Sequence, residues 1–114
     1  MTRREKAIAL LQQHAAAKQA LQNLPLLEPQ SPAQRLQSRK DFRELRKQVR
    51  LVEQALAALN PEERLVIHRF FIQPPRRKLD QLRMELGVEQ STVYRRRDKA
   101  LFKFTEALFG PSAP

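Results

Sequence analysis

NPEERLVIHRFFIQPPRRKLDQLRMELGVEQSTVYRRRDKALFKFTEALF, residues 60–109, is the stretch that decides how this chain folds. Asn60 can cap a helix, and Pro61 fits the first helical position, where no N–H is needed. Glu63 stands where a capping-box carboxylate bonds back to the cap. Leu65, Val66, Ile67 and Phe70 then form an apolar face. Pro74-Pro75 stops that helix, because neither residue donates an N–H and each disfavours helix in the residue before it. The spacing predicts a second, short helix over 79–86 with Leu79, Leu82 and Leu86 on one side. Gly87 follows where a left-handed C-cap is expected, and Val88 is the apolar residue just past it. A third helix is expected from about Gln90 to Leu108, with Val93, Ala100, Leu101, Phe104 and Leu108 at helical spacing. Two helices joined through a short glycine turn make a helix-turn-helix.

The third helix carries the functional signal. Its apolar stripe accounts for one face, while Gln90, Ser91, Tyr94, Arg95 and Asp98 fall on another. The run Tyr94-Arg95-Arg96-Arg97 sends cations in several directions, more than a solvated face of a plain bundle needs. Short polar side chains outnumber acids at its start, which suits hydrogen bonding to base edges with the helix end towards phosphate. The alternative is a basic solvated helix with no ligand.

Leu59-Asn60-Pro61-Glu62-Glu63-Arg64, Leu82 through Gly87-Val88, Ser91-Thr92-Val93-Tyr94-Arg95 and Lys99-Ala100-Leu101-Phe102-Lys103-Phe104 together resemble region four of bacterial sigma factors. They are more similar still to the small phage transcriptional regulators of the ArpU/RinA type, which carry that region without the rest of a sigma factor. In that family the first residues of the last helix contact major-groove bases. By position the resemblance gives this role to Gln90, Ser91, Tyr94 and Arg95. It places Arg76 and Arg77 where family members meet the DNA backbone, and Lys78, Arg97 and Lys99 complete the expected phosphate contacts. Three positions depart from the family pattern. Glu89 replaces the usual Ser or Thr cap, Arg83 replaces a small residue at the helix crossing, and Arg96 replaces an apolar one. The two arginines could snorkel across the crossing and put their charge in solvent or on phosphate, or else widen the crossing angle.

Composition is consistent with that reading. The chain has 114 residues, 41% hydrophobic, with only two glycines, and 22 Lys+Arg against 12 Asp+Glu give a net charge of +10. Such a balance favours an anionic polymer or a membrane surface as partner. No cysteine is present, so disulfide and thiolate chemistry are excluded. The start, Met1-Thr2-Arg3-Arg4, is basic, but the apolar run from Ala7 to Leu11 gives way to Gln12-Gln13-His14, so secretion is not expected. No stretch approaches a membrane span.

Before Asn60, residues 3–24 read as a helix rich in Ala, Leu and Gln, which support or tolerate helix. Ala7, Leu10, His14, Ala17, Leu21 and Leu24 form its stripe, which Ile8, Leu11 and Ala15 widen. His14 reads as a surface residue at the edge of that face. PLLEPQSP, residues 25–32, is a proline corner, with Leu26 and Leu27 expected to tuck back onto the helices. A second helix starts at Ser31 or Pro32 and runs to Leu59. Phe42, Leu45, Val49, Val52, Leu56 and Leu59 make a heptad seam. The first helix can fold back on that seam as a hairpin, or the seam can meet a second copy, giving a homodimer. A two-helix hairpin buries too little to stand alone, so self-association or docking on the C-terminal unit is expected. Arg39, Arg43, Arg46 and Arg50 recur along the outer side of this helix, as a solvated flank or as a phosphate-tracking stripe.

The expected fold is all-α: an N-terminal helical hairpin, a coiled-coil-like arm over 1–59, followed by a three-helix helix-turn-helix domain over 60–110, with a frayed tail at 111–114. Two histidines on separate helices and three scattered aspartates make no catalytic or metal site, so no enzyme activity and no cofactor are expected. The leading expectation is a sequence-specific, double-stranded-DNA-binding transcriptional regulator of phage or prophage genes, cytoplasmic and nucleoid-associated, with no membrane partner. Two alternatives use the same residues: a helical phage assembly or packaging adaptor, and a module that docks on RNA polymerase.

Overall fold

A computed structural model describes residues 1–27 and 31–111. Its elements are α1 (Arg3–Asn23), a 3-10 turn (Leu24–Leu26), α2 (Pro32–Ala57), α3 (Pro61–Ile67) continuing into a π-helical turn (His68–Ile72), α4 (Lys78–Leu86) and α5 (Gln90–Phe109). The described residues contain no strand, so the fold is all-α. No helix among them is long and apolar enough to cross a membrane.

Local chemistry starts three of these helices. The Thr2 hydroxyl accepts the Glu5 N–H at 3.1 Å, and the Ser31 hydroxyl accepts the Gln34 N–H at 3.2 Å. At α3 the capping box closes both ways. The Asn60 side chain accepts the Glu63 N–H at 2.8 Å, and the Glu63 carboxylate accepts the Asn60 N–H at 3.0 Å. Caps of this kind each stabilise by about 1 kcal/mol. The π-helical turn before Pro74 is a feature that periodicity does not reveal. It widens the last turn of the helix and places Phe70 in the core, with Phe71 beside it at 6.1 Å between ring centroids.

α1 and α2 pack along each other, with Gln48 Nε2 donating to Gln13 Oε1 at 3.2 Å and Lys18 paired with Glu53 at 3.4 Å. Along the seam Val49, Val52 and Leu59 are buried, while Phe42, Leu45 and Leu56 are half-buried. α5 then packs against both helices, and one core joins Ala7 and Leu11 of α1, Val52 and Ala55 of α2, Leu59, Ile67, and Ala100, Leu101 and Phe104 of α5. The C-terminal part of the seam is therefore covered from within the chain. A second core of Val66, Phe70, Leu82 and Val93 joins α3, the π-helical turn, α4 and α5.

Two expectations for the N-terminal region need correction. Leu26 and Leu27 do not tuck back; they are 79% and 64% exposed. The 3-10 turn puts Leu24 inward, and Pro25, with its fixed φ, carries the next residues to the outside. The remaining corner residues, 28–30, and all of the tail but Pro111 lie outside the described residues. His14 is not a surface residue either; it is only 6% exposed, with Nδ1 buried and unpartnered. α2 covers α1 on one side and the π-helical turn on another, so a residue at the edge of one face becomes interior. Burial and the Lys18 charge hold its pKa below 6.5, against an opposing pull from Glu53, with His68 adding a further depression.

His14 predicts an acid sensitivity. A histidine whose folded pKa is depressed stays neutral while the unfolded chain takes up a proton. Stability contributed by neutral burial is complete above the unfolded value near 6.5 and declines as pH falls from there to the folded pKa. Thermal melts between pH 7.5 and 5 should drop more steeply for the wild type than for His14→Gln. Parallel profiles would show that His14 titrates no differently in the two states.

Candidate nucleic-acid interface

The α4–α5 connection is fixed by Gly87 at φ 66°, ψ 35°, the left-handed region. Its N–H donates to the Arg83 carbonyl at 2.8 Å, and the Val88 N–H reaches the same oxygen at 3.3 Å. No atom lies within 4 Å of a Cβ built there, so glycine is required by backbone strain, not by space. Val88 then packs on the second core and Glu89 opens α5. The Glu89 side chain makes no capping hydrogen bond, although its carbonyl accepts the Thr92 and Val93 N–H groups at 3.1 Å. No side chain caps the first amides of α5, which suits an external anion.

Gln90, Ser91 and Arg95 are exposed on the first turns of α5, and Tyr94 is 36% exposed beside them. Arg95 Nη2 donates to Thr92 Oγ1 at 3.2 Å, an exposed bond of about 1 kcal/mol that a base edge could replace. Tyr94 leans on Phe70, with ring centroids 6.3 Å apart and planes tilted by 48°. The Arg97 guanidinium sits 4.9 Å from the Tyr94 centroid and 5.4 Å from that of Phe70. Lys78 Nζ lies 5.1 Å from the Phe70 centroid. One aromatic–cation cluster thus ties the π-helical turn and the start of α4 to α5. Arg97 also bonds Asp98 through Nε at 3.0 Å and Nη2 at 2.9 Å, so it is held against the fold. Sequence reasoning sees Phe70 only as an apolar-face residue, because its cationic neighbours are distant along the chain.

No family model, no curated protein and no solved structure matches the chain. What this end of the molecule can do rests on its own residues.

The cations of the C-terminal half divide into two groups. Arg69 pairs with Glu85 at 3.3 Å, Lys103 with Glu63 at 2.8 Å, Arg96 with Glu62, and Arg64 donates to the Leu59 carbonyl. Arg96 therefore reaches the first turn of α3 in a pair that is itself partly exposed to solvent. Arg76, Arg77, Arg83 and Lys99 are exposed, and none forms an ion pair among the described residues. Arg76 and Arg77 lie in the turn before α4. Lys99 is near enough to Glu63 to act on it. Burial alone would raise the Glu63 carboxyl. Hydrogen bonds from Lys103 and the Asn60 N–H, with the charges of Lys103 and Lys99, outweigh burial and hold it below the ordinary carboxylate value.

The fold thus brings Tyr94, Arg97 and Lys78 together around Phe70, with Gln90, Ser91 and Arg95 on the same end of α5 as Tyr94. It brings the Lys99 charge near Glu63 at the start of α3, and it places the seam residues Val52 and Leu59 in the core shared with α5. Among the described residues no group of three or more His, Cys, Asp or Glu side chains could hold a metal ion.

Proposed function

We propose that the chain is a sequence-specific double-stranded-DNA-binding transcriptional regulator that reads the major groove with the start of α5. The observation that carries this reading is the uncapped, exposed first turns of α5, presented by the left-handed Gly87 and bearing Gln90, Ser91, Tyr94 and Arg95. In this reading α4, Gly87 and α5 act as a helix-turn-helix, and the packed α1–α2 pair is the arm behind it. Arg95 reaches a guanine edge with two hydrogen bonds, Tyr94 packs on a thymine methyl or sugar, and Gln90 and Ser91 read the adjacent pair. Arg76 and Arg77 hold phosphates without reading sequence. The likeness to region four of sigma factors and to ArpU/RinA-type regulators adds control of phage or prophage genes to the proposal. Self-association through the arm would make the protein a homodimer, and docking on RNA polymerase is the alternative use of the same unit.

Selection of bound fragments from random DNA at near-physiological salt, with mass measured in the same buffer, tests the reading. Enrichment of one motif by a small oligomer is the expected result. A ring-sized mass with no preferred motif would favour the assembly adaptor instead. On the selected site, Arg95→Ala should lose on the order of 1–3 kcal/mol of binding, and much less on a scrambled duplex. Equal losses on both duplexes would mean that α5 grips the backbone only.

A further inference from the structure

The outer face of α2 carries a row of cations that the site on α5 does not use. Arg39, Arg43, Arg46 and Arg50 recur at steps of four, three and four residues, with Lys47 beside them, and all five are exposed. None of them forms an ion pair or a side-chain hydrogen bond among the described residues, although Asp41 and Glu44 lie on the same helix. On the C-terminal half Arg69, Arg96 and Lys103 are each paired to a glutamate, while Arg76, Arg77, Arg83 and Lys99 are not. Like charges at three- and four-residue spacing repel one another on a helix. This row therefore lowers the helix's own stability and is not neutralised from within.

We propose that this face of α2 is a second contact for the phosphate backbone of duplex DNA, separate from the start of α5. The inference rests on the DNA-binding reading above. Four of the five cations are arginines, whose planar fork matches phosphate oxygens. From Arg39 to Arg50 the row spans roughly 16 Å at 1.5 Å per residue, enough to follow several phosphates along a strand. A membrane surface fits less well, because an interfacial helix needs a free apolar face. Val49, Val52 and Ala55 of α2 are buried in the protein, and its two exposed large apolar residues, Leu36 and Leu51, stand about 22 Å of helix apart and make no continuous apolar face.

The test compares the full-length wild-type chain with R43Q/R46Q/R50Q and R43K/R46K/R50K. Each is titrated with a random-sequence duplex of about 30 base pairs over a salt series, alongside phosphatidylserine vesicles. All three positions are exposed, so the melts should coincide; if the glutamine variant unfolds, R46Q alone should lower the slope by about 0.9. For the triple glutamine variant, the slope of log affinity against log salt should fall by about 2.7, roughly 0.9 for each phosphate that is no longer neutralised. The lysine variant, which keeps the charge, should retain most of the wild-type slope. Duplex binding with an unchanged slope in the glutamine variant would overturn this second contact alone. Loss of vesicle binding without loss of duplex binding would also overturn it, in favour of a lipid surface. A wild-type chain that binds no duplex would overturn the DNA reading and this contact together.

Discussion

Phe104→Ala is expected to destabilise the fold by roughly 3–5 kcal/mol, the range for emptying a fully buried aromatic site. Phe104 is 0% exposed and lies in the core that joins α1, α2 and α5. That core includes Ala7, Ala55 and Ala100 as well as larger side chains, and alanines cannot swing in to fill a void. The cavity term should therefore be near its full size. For a chain of this length the loss corresponds to a fall in Tm of roughly 10–20 °C. DNA binding well below the new Tm should be nearly unchanged, since Phe104 stands nine residues, about 14 Å of helix, beyond Arg95. A melt within a few degrees of wild type would mean that the ring's site collapses or is not packed as described. A loss of affinity at low temperature would mean that the core sets the orientation of α5's first turns.

The parts of this fold that were legible in the sequence are those that nearest neighbours decide. Asn60 with Glu63 and Gly87 with Val88 specify their caps within four residues, and both form as the spacing predicts, while α2 starts at Pro32, one of the two positions expected, with Ser31 as its cap. The stripe of α5 was legible because Val93, Leu101 and Phe104 are large enough to mark a face. α1 was less so. Its face mixes alanines with leucines and His14, and helix periodicity alone could not say that α2 and the π-helical turn would cover it from two directions. Leu11, which on periodicity only widens the stripe, is fully buried, and His14 goes inside with it. Ion-pair partners were not legible at all. Arg96 finds Glu62 34 residues away, and nothing local to the Arg95-Arg96-Arg97 run separates the cation that pairs internally from the one left for a ligand. The same holds for Arg97, whose place over Phe70 and Tyr94 depends on how α5 lies against the π-helical turn.

Val52→Asp tests how far the arm and the C-terminal helices are one folding unit. Val52 is 0% exposed, and its core includes Leu59, Ile67 and three residues of α5. A carboxylate there finds no partner described in that core. It must stay protonated or open the packing to water, at a cost on the order of 4 kcal/mol or more. Were residues 1–59 and 60–110 independent, the damage would stay in α1 and α2, and α5 would keep its hydrogen-exchange protection. The shared core predicts otherwise. Amides of α5 near Ala100 and Phe104 should lose protection together with those of α1 and α2, and the melt should remain a single transition at lower temperature. Protection lost only before Asn60 would show that the C-terminal helices hold together without the arm. Affinity for DNA discriminates further. With α5 destabilised at its C-terminal end, binding should weaken as temperature rises towards the lowered Tm, even though none of the residues proposed to touch bases has changed.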